Sequence, residues 1–196
     1  MLIDELKNIA RNNGIVGAGG AGFPAYAKMT EKADTVILNC VECEPLLKLH
    51  RQLLATHTEE IIQMLDEVRE SFGAKEAVIG IKSEYVTTIK AIEEVIGDFP
   101  NVRICALKAA YPMGDEVVLI YEATGRVIKP GGLPIDENVV VYNVETMYNL
   151  YRAVHLNIPV TNKLVSIVGE IDHPLTVRVP LGTTVKEAIS LAGKIT

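Results

Sequence analysis

Four short β-branched runs separated by helix-period stretches constrain this chain more than any other feature. Residues 35–39 (Thr-Val-Ile-Leu-Asn), 77–81 (Ala-Val-Ile-Gly-Ile), 102–106 (Val-Arg-Ile-Cys-Ala) and 138–142 (Asn-Val-Val-Val-Tyr) are runs of the kind that fill central strands. Between them, the stretch from Leu53 to Phe72 sets Ile61, Ile62, Leu65, Val68 and Phe72 on one helical stripe. Tyr85 to Ile96 does the same with Ile89, Ile92, Val95 and Ile96. Strand-helix-strand repetition calls for parallel pairing, because the crossover returns the chain to the edge it left. The expectation is an α/β domain over residues 1–160 with a largely parallel sheet. Further helices are expected at Leu2 to Ala10, at 115–125 closed by Gly125, and at 144–155.

From Lys163 the pattern changes. Leu164–Gly169 and Leu175–Val179 alternate in strand fashion around Asp172-His173-Pro174, a hairpin signal, and Thr184 caps a helix running to Leu191. A hairpin with one helix buries too little apolar surface to stand alone, so residues 161–196 are read as part of a second module.

Net charge is −6 and no Lys/Arg cluster is present, which argues against nucleic acid as a principal partner. No apolar run is long enough to span a bilayer. The segment Met1 to Lys7 is amphipathic and lacks the apolar centre of a secretion signal, so the expected location is cytoplasmic, with peripheral membrane association left open. Cys40, Cys43 and Cys105 are an odd number and read as thiols.

Residues 14–22 place five glycines in nine positions and run into a short helical pattern containing Lys28. Glycines let successive N–H groups converge on an anion, and a following helix would add its positive end, with Pro24 in its first turn. Gly17, Gly19 and Gly22 also satisfy the dinucleotide fingerprint, but that motif needs a preceding strand. Here a helix and Asn12-Asn13 come before it. A plain flexible turn is the bland alternative.

Three more loops follow strands. In Asn39-Cys40-Val41-Glu42-Cys43-Glu44-Pro45, Asn39 offers an amide to a ring edge, and Glu42 and Glu44 offer acceptors to ribityl or ribose hydroxyls. An acidic loop in water is the alternative. Cys40 and Cys43 form Cys-x-x-Cys, but His50, His57, His155 and His173 are scattered, so a four-ligand zinc site is not expected. The Tyr111-Pro-Met-Gly-Asp-Glu116 and Tyr142-Asn-Val-Glu-Thr146 loops each open a helix, which also explains Asp115, Glu116 and Asn143 as terminal residues.

Taken together, Gly17-Ala-Gly-Gly-Ala-Gly-Phe-Pro24, Glu42-Cys-Glu-Pro45, Tyr111-Pro-Met-Gly114, Thr124-Gly125 with Gly131-Gly-Leu-Pro134, and Asn143-Val-Glu-Thr146 resemble the flavin core of RnfC- and PduS-like electron-transfer flavoproteins. These are related to the NADH-oxidising, FMN-containing subunit of respiratory complex I. The resemblance implies a Rossmann-like layered FMN domain. The tail resembles the start of an SLBB module of β-grasp type.

By motif position, the resemblance implies that Gly17, Gly19, Gly20, Gly22 and Lys28 hold the FMN phosphate region and that Asn39, Glu42 and Glu44 line the flavin or nicotinamide side. Phe23 takes the place of the aromatic on the NADH side. Gly114, Asp115 and Glu116 border the ring pocket, and Asn143 and Thr146 complete the phosphate or ribityl contacts. The implied activity is NADH-dependent reduction of FMN, with electrons passed to a downstream redox protein or to other subunits of a complex. Iron–sulfur (4Fe-4S) clusters are expected only in a full-length protein, since no Cys-x-x-Cys-x-x-Cys segment occurs here. Ala18 stands where complex I has arginine, and Val41-Glu42-Cys43 departs from the acidic pair found there. A binding or docking module that has lost flavin is the alternative from another class.

Overall fold

The computed structural model describes residues 1–195. Strands β1 (Thr35–Cys40), β2 (Glu76–Lys82), β3 (Val102–Leu107) and β4 (Val139–Asn143) form one parallel sheet in the order β3-β2-β1-β4. The chain steps from β1 to β2 to β3 in one direction and then returns to place β4 on the far side of β1. The switch point therefore lies between β1 and β4, where open α/β sheets leave a crevice at the strand carboxyl ends. Asn39 and Asn143 are register partners there.

Successive side chains of a strand point to opposite faces, and the two faces are covered unequally. Val36, Leu38 and Cys40 join the larger core with Ile79, Ile81 and Tyr142. That core is closed by α1 (Ile3–Asn12), α2 (Leu49–Thr56), α3 (Thr58–Phe72), α4 (Val86–Val95) and α6 (Val144–Leu156). Ile37, Val78, Val139 and Val141 face a smaller core formed with Leu119, Ile120 and Ala123 of α5 (Glu116–Thr124). Gly73 and Gly125 end α3 and α5 in the left-handed conformation, at φ 68° and φ 74°.

The expected single helix from Leu53 to Phe72 is two helices. His57, at φ −125° and ψ 44°, is the C-cap of α2 and the N-cap of α3. Its ring stacks on Tyr148 with centroids 4.3 Å apart. The apolar stripe survives because only one residue leaves the helical path. The helical pattern after the glycines is likewise a four-residue 3-10 turn, Ala25–Lys28, with Pro24 outside it at ψ 122°. So short a turn carries little dipole, and the helix N-terminus that meets the glycine loop is that of α6.

The tail forms an antiparallel pair, β5 (Asn162–Ile167) and β6 (Leu175–Pro180), followed by α7 (Val185–Ser190), which Thr184 and Glu187 cap reciprocally. It meets the larger unit at α6, where Leu164 N–H donates to Glu145 Oε1 at 3.1 Å, and the residues leading into it are tied to the end of α1 by Val160 N–H donating to Asn13 O at 3.0 Å. No helix among the described residues is long and apolar enough to cross a membrane.

Candidate functional site

A cleft of about 480 Å³ opens at the carboxyl ends of β1 and β4. Three of its walls come from strand-to-helix loops and the fourth from the glycine loop. The size and setting are those of a cofactor pocket.

The glycine loop is a tight hairpin: Gly17 N–H donates to Phe23 O at 2.7 Å, and Val16 bridges to Pro24. Gly20 (φ 135°) and Gly22 (φ 63°) adopt backbone angles that a side chain would resist. Ala18 N–H donates to Thr146 Oγ1 at 2.9 Å, which fastens the loop to the first turn of α6. A Cβ added to Gly19 would stand 3.4 Å from the Asn143 amide. Loop and helix end thus face one space, the arrangement that receives phosphate.

Asn143 caps α6, its Oδ1 accepting from Glu145 N–H at 2.9 Å. Its Nδ2 donates to the His50 ring, 3.1 Å from Nε2. A donor aimed at that nitrogen requires a neutral imidazole. Burial, reinforced by the charge of Lys163, lowers the His50 pKa to about 4. Lys28 Nζ lies 3.3 Å from both Glu116 Oε1 and Val141 O, crossing from the glycine loop to the α5 side of the cleft.

On the β1 side, Asn39 Oδ1 accepts from Val41 N–H at 2.9 Å while its Nδ2 donates to Gly114 O at 3.0 Å. A Cβ on Gly114 would stand 2.2 Å from Val41 O and 2.6 Å from Cys43 Sγ, so only glycine permits this close approach of the two loops. Glu42 is buried. Its Oε1 accepts from His50 N–H at 2.8 Å, and its Oε2 has no hydrogen-bond partner. Arg51 Nε, 3.7 Å away, is too distant for a good bond and sits over the Tyr85 ring. Burial therefore raises the Glu42 pKa despite the nearby cation.

Of the residues singled out from sequence, Gly17, Gly19, Gly20, Phe23, Lys28, Asn39, Glu42, Glu44, Gly114, Glu116, Asn143 and Thr146 line this cleft. Glu44 and Phe23 lie on its exposed rim. Gly22 and Asp115 are outside the lining: Gly22 shapes the hairpin, and Asp115 Oδ1 caps α5 by accepting from Val117 and Val118 N–H. His50, Cys43 and Tyr142 also line the cleft, although sequence reasoning gave them no part in it. No local signal marks His50, because the helical stripe legible in the sequence starts at Leu53 whereas α2 begins at Leu49. Among the described residues no His, Cys, Asp and Glu cluster is arranged to hold a metal.

A second groove of about 530 Å³ adjoins the cleft and shares Phe23, Lys28, Glu116 and Val141 with it. Leu133, Pro134 and Ile135 form its far wall.

The donor set fits FMN. A helix end and glycine amides suit the phosphate, Asn39 and the Gly114 approach suit a flat ring edge, and the unpartnered Glu42 Oε2 is the kind of buried acceptor that a ligand completes.

Comparison with known proteins agrees. This chain is 39% identical to cobalamin reductase PduS of Salmonella typhimurium over 193 residues, which is 98% of this chain and 42% of that protein. It is 32% identical to a component of the Na+-translocating ferredoxin:NAD+ oxidoreductase complex of Acetobacterium woodii, over 97% of this chain and 44% of that component. The chain thus spans less than half the length of these curated relatives. Its fold matches a chain of an NAD+-reducing NiFe hydrogenase crystal structure with a TM-score of 0.81 at 23% identity, over 97% of this chain and 39% of that one. Residues 164–194 match the SLBB domain. With residues 10–152 matching its model, the chain belongs to the Nuo51 FMN-binding domain family.

Proposed function

We propose that this chain is the flavin domain of an electron-transfer oxidoreductase: it binds FMN in the β1/β4 cleft, receives reducing equivalents from NADH and passes electrons to iron–sulfur carriers beyond these residues. The observation that carries the reading is the coincidence of the family match over residues 10–152 with a cleft at the sheet's switch point. The relatives' names support redox chemistry with NAD and a corrinoid or ferredoxin partner.

Bound FMN supplies the exchange between two-electron and one-electron chemistry. The glycine loop and the Asn143–Thr146 turn hold its phosphate end, while Lys28 is engaged by Glu116. Asn39, Gly114 and Cys43 bound the ring, and the buried, unpartnered Glu42 Oε2 is placed to accept a hydrogen bond from the flavin. Phe23 and the adjoining groove receive the dinucleotide, with Glu116 and Lys28 between the two ligands. Redox partner subunits, 4Fe-4S clusters in the full-length protein and a cytoplasmic location with peripheral membrane association complete this reading.

Purified protein titrated with FMN should show saturable binding and a perturbed flavin spectrum, and anaerobic NADH should bleach it. A folded protein that fails to bind FMN at high micromolar concentration sinks the proposal. Binding without bleaching removes only its NADH part.

A further inference from the structure

The first turn of α6 carries a buried negative charge at the place where the cleft is built to take another. Glu145 is the second residue of that helix, and its side chain is only 3% exposed. Its neighbours are Asn143, the cap, and Thr146, the anchor of the glycine loop. A carboxylate here stabilises a helix end that holds no anion, yet it repels a phosphate brought to the same turn.

The compensating charge comes from the other sheet. Lys163, in β5, donates from Nζ to Glu145 Oε2, and the next residue gives its backbone: Leu164 N–H donates to Glu145 Oε1 at 3.1 Å. Both carboxylate oxygens are therefore satisfied by the hairpin. Other ionisable groups around the turn are already committed. His50 is neutral against Asn143, Lys28 is paired with Glu116, and Arg51 lies toward Glu42. That the cleft awaits a ligand is signalled separately by the orphaned Glu42 Oε2.

We infer that Lys163 is a charge-compensating positioning residue for the flavin phosphate: by neutralising Glu145, the β5–β6 hairpin makes the α6 end of the cleft competent for a dianion. The hairpin is then part of the cofactor site without touching the cofactor, and flavin binding and hairpin docking favour each other. The inference rests on the cleft being an FMN site, and the phosphate is the part of FMN it concerns.

The test is fluorescence titration of the whole chain with FMN and with riboflavin, which lacks the phosphate. Lys163→Met should weaken FMN binding by about tenfold or more, the scale of a buried, uncompensated like charge on the helix turn that meets the anion, and change riboflavin affinity by less than about twofold. Lys163→Arg keeps the charge and should bind FMN to within about threefold of wild type. Adding Glu145→Gln to Lys163→Met removes the uncompensated buried charge and should restore most of the lost FMN affinity. These last two variants carry the test should Lys163→Met alone not fold. Equal losses for FMN and riboflavin, no loss in Lys163→Met, or no recovery in the double variant would overturn the inference. Wild-type protein that binds neither flavin overturns the FMN reading of the cleft and this inference with it, an outcome distinct from wild-type binding that is indifferent to Lys163.

Discussion

The parallel sheet and the β5–β6 hairpin are stabilised in different ways, although one chain forms both. In β1, Val36, Ile37 and Leu38 have no solvent exposure, because helices cover both faces of the sheet. In β5 every residue is only half-buried. The hairpin leans on α6 through Leu164, which packs against the larger core, and through the polar clasp on Glu145. The sheet is rigid through its own burial, whereas the hairpin is held by docking. The cleft sits on the more deeply buried unit, as precise cofactor placement requires, while the half-buried hairpin contributes a charge.

The largest effect that would break this contrast is in β1. Leu38→Ala should cost about 2–5 kcal/mol, the range for truncating a fully buried leucine. Val165→Ala in β5, half-buried, should cost no more than about 1 kcal/mol. Urea midpoints at constant m would measure both, and comparable losses would mean the hairpin has a core of its own.

His50 gives a pH-dependent version of the same contrast, since it lies on the rigid unit within reach of the hairpin's Lys163 charge. Its pKa is about 4 in the fold and about 6.5 in an unfolded chain. Between these values the unfolded chain binds a proton that the native one refuses, so this contribution falls as pH drops from about 6.5 to about 4, by up to about 3 kcal/mol. Glu42 acts in the opposite sense: its raised pKa adds stability at low pH that is lost as pH rises through the folded value. His50→Gln isolates the histidine part. The variant should lose less stability than wild type between about pH 6.5 and about pH 4.5, and parallel profiles would show that His50 titrates normally.

A smaller effect is expected where the glycine loop meets α6. Thr146→Val removes the acceptor of the Ala18 N–H, an interaction worth about 1 kcal/mol. FMN affinity should fall several-fold with little change in the denaturation midpoint of the sheet. An unchanged dissociation constant would mean that the loop is positioned by its own hairpin bonds alone.

How much of this was legible in sequence depended on range. Strand and helix placement was readable because burial on both faces leaves near-continuous apolar runs, with Gly125 closing one of the helices between them. The three loops after strands were readable because strand ends in such sheets converge, and the glycine loop because five glycines fall in nine positions. The helix end facing the glycines was reached only through the resemblance, which put Asn143 and Thr146 beside the phosphate: Thr146 lies 128 positions from Ala18, and the local cue, Pro24 before Ala25–Lys28, pointed to a different helix. His50 escaped for the same reason, since its role depends on Asn143, 93 positions away. The break at His57 was hidden by a stripe that continues across it. Asp115 shows the converse case, a polar residue in a site motif whose helix-terminal role, also read from sequence, is the one its side chain takes in capping α5.

The smallest expected effect tests whether the hairpin unit opens on its own. Thr184 Oγ1 accepts from Glu187 N–H at 3.2 Å, and Glu187 Oε2 accepts from Thr184 N–H at 2.9 Å, closing the start of α7. Hydrogen bonding from Thr184 lowers the Glu187 pKa, so this closure weakens as pH falls and the carboxylate takes up a proton. Thr184→Ala removes the acceptor. Amide exchange in residues 185–190 should then accelerate by about threefold to tenfold, the range a helix N-cap commands, while the amides of β1 and β2 keep their protection. If exchange in β1 rises in step, the two sheets open as one cooperative unit, and the clasp at Glu145 is then strong enough to transmit the loss of a single cap across to the cleft.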